Sequence, residues 1–211
     1  MKRTSGKPAA FSSVVTGAMT IEKPAITDSQ LHPPIAQRWS PRLYDAGHEL
    51  SQGELEALGE AFRWAPSSNN QQPWQVVFLT RGSEKFNAVA ERGLTGFNQT
   101  WAPNASAFAV VLAAKTHEGK AREQAATYFD VGLAASQLVM QAQSMGLYSH
   151  FMGGIIPDEI SRIIGDESNW VVCVITIGVQ GELESAEPAI QDRERTPRAR
   201  KSSGEVYSIN P

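Results

Sequence analysis

An α+β fold is what this sequence predicts, and three observations carry that expectation. Helical and strand-like segments are mixed without the regular strand–helix–strand alternation of a doubly wound sheet. No Gly-x-Gly-x-x-Gly follows a strand, so nothing supports a Rossmann nucleotide fold. One long segment, about 120–145, has helical character and is apolar on nearly every face. Such a helix is buried on nearly every face, in a 211-residue chain partly by another subunit.

The elements follow in order. Residues 1–34 read as an irregular or disordered arm, because Pro8, Pro24, Pro33 and Pro34 interrupt any helix. The stretch after Met1-Lys2-Arg3 is broken by Ser12, Ser13, Thr16 and Gly17, which argues against a signal peptide; Met19 is an alternative start. A single domain then occupies 35–211. Ser51-Gln52-Gly53-Glu54 is a capping box, and Leu55, Leu58, Ala61 and Phe62 follow at helical spacing up to Pro66. Trp74–Leu79 reads as a strand, 83–92 as a short helix and Phe108–Ala114 as a buried strand. In the long helix only Asp130, Ser136 and Gln137 interrupt small and apolar residues between Tyr128 and Met140, and Gly146 supplies its stop. Tyr148–Met152 is a short strand broken by Gly153-Gly154. Pro157-Asp158-Glu159 opens a helix, and Trp170–Val179 is a core strand. From Glu182 onward the chain is a polar tail with a basic cluster at Arg193, Arg195, Arg198, Arg200 and Lys201.

Composition narrows the function classes. With 41% hydrophobic and 19% charged residues the chain is globular rather than disordered. A net charge of −3 gives no reason to expect a nucleic-acid partner. The single cysteine, Cys173, excludes a disulfide within the chain and a cysteine-based zinc cluster, and fits a reducing, cytoplasmic setting. Between Val172 and Val174 it reads as packing rather than a nucleophile. No run of eighteen apolar residues crosses a membrane. His32, His48, His117 and His150 are scattered without metal-ligand spacing, and no Gly-x-Ser-x-Gly elbow exists.

Four segments could carry chemistry. In an extended Arg38-x-Ser40-x-Arg42, alternate residues face one way and present two guanidinium groups with a hydroxyl between them. That set suits a phosphate or other polyanion; it also suits a solvated basic loop. Pro66-Ser67-Ser68-Asn69-Asn70-Gln71-Gln72-Pro73-Trp74 offers uncharged donors and acceptors that can read the edge of a polar heterocycle such as a flavin, or simply turn the chain. Gly153-Gly154 after Met152 lets backbone approach a flat ring, or forms a plain turn. Arg198-Ala199-Arg200 repeats the two-apart arginine pair in what could be a charged tail.

The order of these segments, over about residues 35–207, resembles the FMN-dependent nitroreductase family; the Pro66–Trp74 segment is the most specific part. The resemblance implies a central, mostly antiparallel sheet flanked by helices, in an intertwined homodimer with FMN at the subunit interface. It implies that Arg38, Trp39, Ser40 and Arg42 hold the FMN phosphate and the pyrimidine side of the ring, and that Arg198 and Arg200 also reach the phosphate. Pro66, Ser67, Ser68 and Asn70 would come from the other subunit, Asn98 would hydrogen-bond the flavin, and Gly153 and Gly154 would lie near its N5. The activity implied is ping-pong hydride transfer from NAD(P)H through the flavin to an electron-poor small molecule such as a nitroaromatic or quinone, with no catalytic side chain required. Two positions depart from the family pattern: Trp101 stands where many members have lysine, and Gly153 where many have glutamate. They keep open a same-fold enzyme of different chemistry, such as dehalogenation or flavin fragmentation. A non-catalytic flavin-binding protein is a third reading. The electron acceptor and the choice of NADH or NADPH are not written in the sequence.

Overall fold

Two consecutive prolines start the first helix. The computed structural model describes residues 21–210; most of the expected arm, and the alternative start at Met19, fall outside the described residues. Helix α1 (Pro33–Gln37) places Pro33 and Pro34 in its first turn, where a missing N–H costs nothing. The prolines expected to keep residues 1–34 free of helix therefore begin one. Helix α2 (Gln52–Arg63) has the expected capping box: Glu54 N donates to Ser51 Oγ at 3.3 Å, and Ser51 N donates to Glu54 Oε2 at 2.8 Å. Strand β1 (Trp74–Thr80) follows, then α3 (Glu84–Ala88), a π turn at Val89–Gly93, α4 (Asn98–Trp101) and β2 (Ala107–Ala114).

A small hairpin, β3 (Thr116–His117) and β4 (Lys120–Ala121), takes residues expected to begin the long helix. Its turn residues Glu118 and Gly119 both have positive φ. Helix α5 (Gln124–Ser144) starts after it, with the Glu123 carboxylate accepting from the Ala125 and Ala126 N–H groups. Strand β5 (Tyr148–Met152), helix α6 (Pro157–Ile164) and strand β6 (Asn169–Gly178) match the sequence expectation within a few residues. The polar tail is a correction: it contains helix α7 (Pro188–Arg195), whose Ile190 and Glu194 are buried, and a short α8 (Ser203–Val206).

The main sheet has the order β1–β2–β6–β5, and each neighbouring pair is antiparallel. Strand β2 is buried from Ala107 to Ala113, and its period of two sorts the core. Phe108, Val110 and Leu112 join Leu79, Phe86, Val89, Trp101 and Ile160 on one face. Ala109, Val111 and Ala113 join Leu58 and Phe62 of α2 and the α5 residues Val131, Ala134, Leu138 and Val139 on the other. Small strand residues are needed on that face, because α5 lies across it.

Among the described residues, helix α5 is covered on one side only. Ala126, Gly132 and Ser136 are exposed, and Phe129 is 69% exposed. A ring of that size left in water forgoes roughly 2 kcal/mol of burial.

The strand ends also fix the segment around residue 42. Tyr44 bridges to Gln180, and Gly181 N donates to Leu43 O at 3.4 Å. A Cβ on Gly181 would lie 2.8 Å from Tyr44 O and 3.0 Å from Tyr44 C, which are backbone atoms with no rotamer to escape into. Gly181→Ala is expected to cost about 1–3 kcal/mol, read as a lower unfolding temperature. Gly53→Ala, in α2 with no atom near its added methyl, should leave it unchanged or raise it slightly.

Candidate functional site

The two arginine pairs, expected from opposite ends of the sequence, meet in one cavity. Lys23, Arg38, Trp39, Ser40, Arg42, Arg193, Thr196, Arg198 and Arg200 line a space of about 250 Å³. The alternation expected for Arg38-x-Ser40-x-Arg42 is realised, with Arg38 Nη1 donating to Ser40 Oγ at 3.3 Å. Arg198 also latches the N-terminal segment to the tail, its Nη1 donating to Lys23 O at 2.6 Å and to Ala36 O at 2.9 Å. Lys23 Nζ lies 4.1 Å from the centroid of the Trp39 ring and donates to Thr196 O at 2.8 Å. Trp39 itself is buried, edge-on to Tyr148.

These cations crowd one another. Burial, then Arg198 and Arg200, lowers the pKa of Arg38; burial, then Arg193, lowers that of Arg42. Lys23 and Arg198 are lowered by burial as well. A half-buried cluster of like charges carries a positive potential that an anion relieves. Lys23 and Arg193 belong to this cradle without a sequence signal that points to it; in the sequence Arg193 is only one member of a basic tail.

Strand β5 carries the geometry onward. His150 Nδ1 lies 2.9 Å from Pro41 O, inside the Arg38–Arg42 segment. Three and four residues later, about 10–14 Å along an extended chain, are Gly153 and Gly154. Gly154 is clasped: its carbonyl accepts from Thr95 N at 3.0 Å and from Asn98 Nδ2 at 3.2 Å. A Cβ there would sit 2.9 Å from Asn98 Nδ2 and 3.1 Å from Thr95 Oγ1, so a side chain would displace the Asn98 amide from its hydrogen bond. Gly153 has nothing within 4 Å of where a Cβ would point. Asn98 is thus brought beside the glycine pair. Trp101 is different: it is fully buried, stacked on Tyr44 at 6.2 Å and lying 4.7 Å from the His150 ring. It packs beneath the site.

Burial lowers the pKa of His150 from its usual 6.5 to about 4, although its hydrogen bond to Pro41 opposes this and Arg42 assists it. The unfolded chain therefore binds the proton more readily, and stability is lost as pH falls from about 6.5 through about 4. The loss is at most about 3 kcal/mol. An unfolding-temperature series from pH 7 to 4 should show it, and His150→Gln should flatten that slope.

The polar segment lies elsewhere in the chain. Pro66, Ser68, Asn69 and Asn70 are exposed, and they do not line the arginine cavity. Asn69, Asn70 and Gln72 all adopt positive φ (49°, 55° and 48°), an unfavourable backbone for residues with a Cβ. Side chains hold it: the Asp130 carboxylate accepts from Ser68 N at 3.2 Å, Ser67 Oγ accepts from Gln72 N at 2.9 Å, and Arg122 Nη1 donates to Gln71 Oε1 at 2.8 Å. Pro66, Ser67 and Ser68 instead border a mostly apolar cleft with Phe129 and Leu133, on the bare side of α5.

Comparison with known proteins gives a consistent result. The model of the Nitroreductase family matches residues 35–179. A solved structure described as "the oxidoreductase containing FMN" is 30% identical and superimposes with a TM-score of 0.80, covering 92% of this chain and 98% of that one. An oxygen-insensitive NADPH nitroreductase of Helicobacter pylori (strain J99) is 26% identical, over 67% of this chain and 83% of the relative. A nitroreductase family protein of Clostridium difficile 630, 20% identical with a TM-score of 0.61 over 82% of this chain and 94% of that one, shares the fold.

Proposed function

Since this chain belongs to the nitroreductase family, we propose that it is an FMN-dependent, NAD(P)H-consuming oxidoreductase acting on electron-poor small molecules such as nitroaromatics or quinones. One observation carries the reading: a cationic cradle joined by β5 to an open glycine turn. FMN has a phosphate at one end of a five-carbon chain and a flat ring at the other, and the site offers matching ends. The chemistry that FMN would supply there is ping-pong hydride transfer between NAD(P)H and the acceptor, with no catalytic side chain required of the protein.

The chain's own residues bind and orient. Arg38, Ser40, Arg42, Arg198 and Arg200 would hold the phosphate with charge-assisted hydrogen bonds. The reach of Arg42 toward the ring would place positive charge where the ring gains negative charge on reduction. Gly153 leaves room for a planar group, and Asn98 fixes the turn beside it. Trp39, buried behind the cradle, supports it from the core side.

The site is shared between two copies in this reading. Pro66, Ser67 and Ser68 border the exposed face of α5, whose Phe129 and Gly132 suit burial against a second subunit, and Asn70 follows them in the same exposed segment. The homodimer would carry these residues to the partner's cradle, with FMN at the interface. Among the described residues no helix is long and apolar enough to cross a membrane, and we place the enzyme in the cytoplasm.

The test is spectroscopic. Purified protein should carry the yellow flavin band or acquire it with FMN, and the band should bleach under anaerobic NADPH or NADH and return on adding a nitroaromatic. A colourless protein that takes up no FMN would sink the proposal. A flavin that never bleaches would indicate a flavin-holding module, and dehalogenation or flavin cleavage without nitro reduction would indicate different chemistry on the same fold.

A further inference from the structure

One carboxylate stands among the cradle's cations. Glu194, on α7, is 1% exposed. Its Oε1 accepts the backbone N–H of Arg42 at 2.8 Å, a contact between residues 152 apart in sequence. Its Oε2 is buried with no hydrogen-bond partner among the described residues. Lys23 Nζ donates to the carbonyls of Arg193 and Thr196, on either side of it in sequence. Burial pushes the pKa of Glu194 up, while the Arg42 N–H, Lys23 and the Arg42 guanidinium pull it down.

The placement is costly. Ile190, one helical turn earlier on α7, shows that an apolar residue buries well on this face. A buried carboxylate with one oxygen unpaired is less favourable than such a residue unless it serves a further purpose. Two such purposes are visible. The hydrogen bond fixes the backbone from which the Arg42 side chain projects. The negative charge acts on Lys23 and Arg42, two members of a cavity lined by Lys23, Arg38, Arg42, Arg193, Arg198 and Arg200.

We propose that Glu194 is a positioning residue of the cradle: its carboxylate ties Arg42 to α7, and its charge holds down the cradle's affinity for a phosphate group. This rests on the reading that the cradle takes the FMN phosphate. The two effects act in opposite directions, so substitution separates them. Glu194→Gln keeps an acceptor for the Arg42 N–H and removes the charge. Glu194→Ala removes both.

The full-length protein, freed of flavin, is titrated with FMN and with riboflavin, which lacks the phosphate. Glu194→Gln should bind FMN about threefold more tightly, the size of a weak, solvent-screened charge interaction, and Glu194→Ala about tenfold more weakly, as for loss of a charged hydrogen bond. Riboflavin affinity should be the same in wild type and Glu194→Gln, and should fall less than FMN affinity in Glu194→Ala, where the reach of Arg42 toward the ring is loosened as well. Equal losses of FMN binding in both variants, riboflavin changing in step with FMN, or an unaltered Glu194→Ala would each overturn the proposal. Should Glu194→Ala fail to fold, Glu194→Gln decides alone: a raised FMN-to-riboflavin affinity ratio supports the role, and an unchanged or lowered one overturns it. Should the wild type take up no flavin, the functional reading fails, and inorganic phosphate becomes the probe. Its protection against thermal unfolding should then rank Glu194→Gln above wild type above Glu194→Ala, and any other order overturns the role.

Discussion

Arg38→Glu is expected to empty the protein of flavin. The guanidinium is half-buried in the cradle and directed by Ser40, so glutamate would place a negative charge where a phosphate is expected. Losing one partner of a desolvated ion pair costs about 3–5 kcal/mol, which corresponds to more than 100-fold in affinity. The flavin-free protein should respond in the other direction. Arg198 and Arg200 already oppose the charge of Arg38 when no anion is present, so the reversal relieves repulsion. The unfolding temperature of the flavin-free variant should therefore equal or exceed that of flavin-free wild type, while its flavin content falls to near zero. Wild-type flavin content in the variant would remove Arg38 from the site.

Trp101→Lys should unfold the protein. The resemblance to the family places lysine here in many members, so the substitution looks like a restoration. The packing says otherwise, because the indole is fully buried between Tyr44 and His150 and belongs to the cluster with Leu43, Phe108 and Met152. Removing a buried tryptophan costs about 3–5 kcal/mol, and a lysine ammonium left there unpaired adds several more. Together these approach the whole stability of a domain, about 5–15 kcal/mol. Trp101→Phe, which keeps an aromatic ring, should fold with a modest loss. A Trp101→Lys variant with wild-type unfolding behaviour would show that the position opens to solvent.

The parts of the fold legible in the sequence were those set by local chemistry. Ser51 and Glu54 cap α2 through contacts three residues apart, and the Val- and Ile-rich run around Cys173 becomes β6 because it must be covered on both faces. The Arg38–Ser40–Arg42 alternation needed only an extended backbone to become one face of a cavity. What escaped was set by distance or by few residues. Helix α7 hides in a charged tail because only Ile190 and Glu194 turn inward, too few to make an apolar period. The hairpin at 116–121 has no large apolar residue, and its turn depends on two backbone angles. Lys23 and Glu194 carry no local signature of the cradle, since their partners lie more than 150 residues away. The Pro66–Trp74 segment was legible as a polar loop, but its separation from the arginines within one chain is a property of the fold.

The Arg198 latch has a consequence for how the molecule is made. Its hydrogen bond to Lys23 O joins residues 175 apart, and that to Ala36 O residues 162 apart. Ordering such a large loop is entropically expensive until the intervening sheet and helices exist. A chain emerging from the ribosome can form α2, β1, β2 and much of α5 while the residues of α7 are still unsynthesised. The cradle must then be among the last parts to close, and a chain stalled before Arg198 would own a core but no latch. Limited digestion that trims the chain after Thr196 should likewise release bound flavin while the sheet survives, so cofactor content reports the integrity of both chain ends at once.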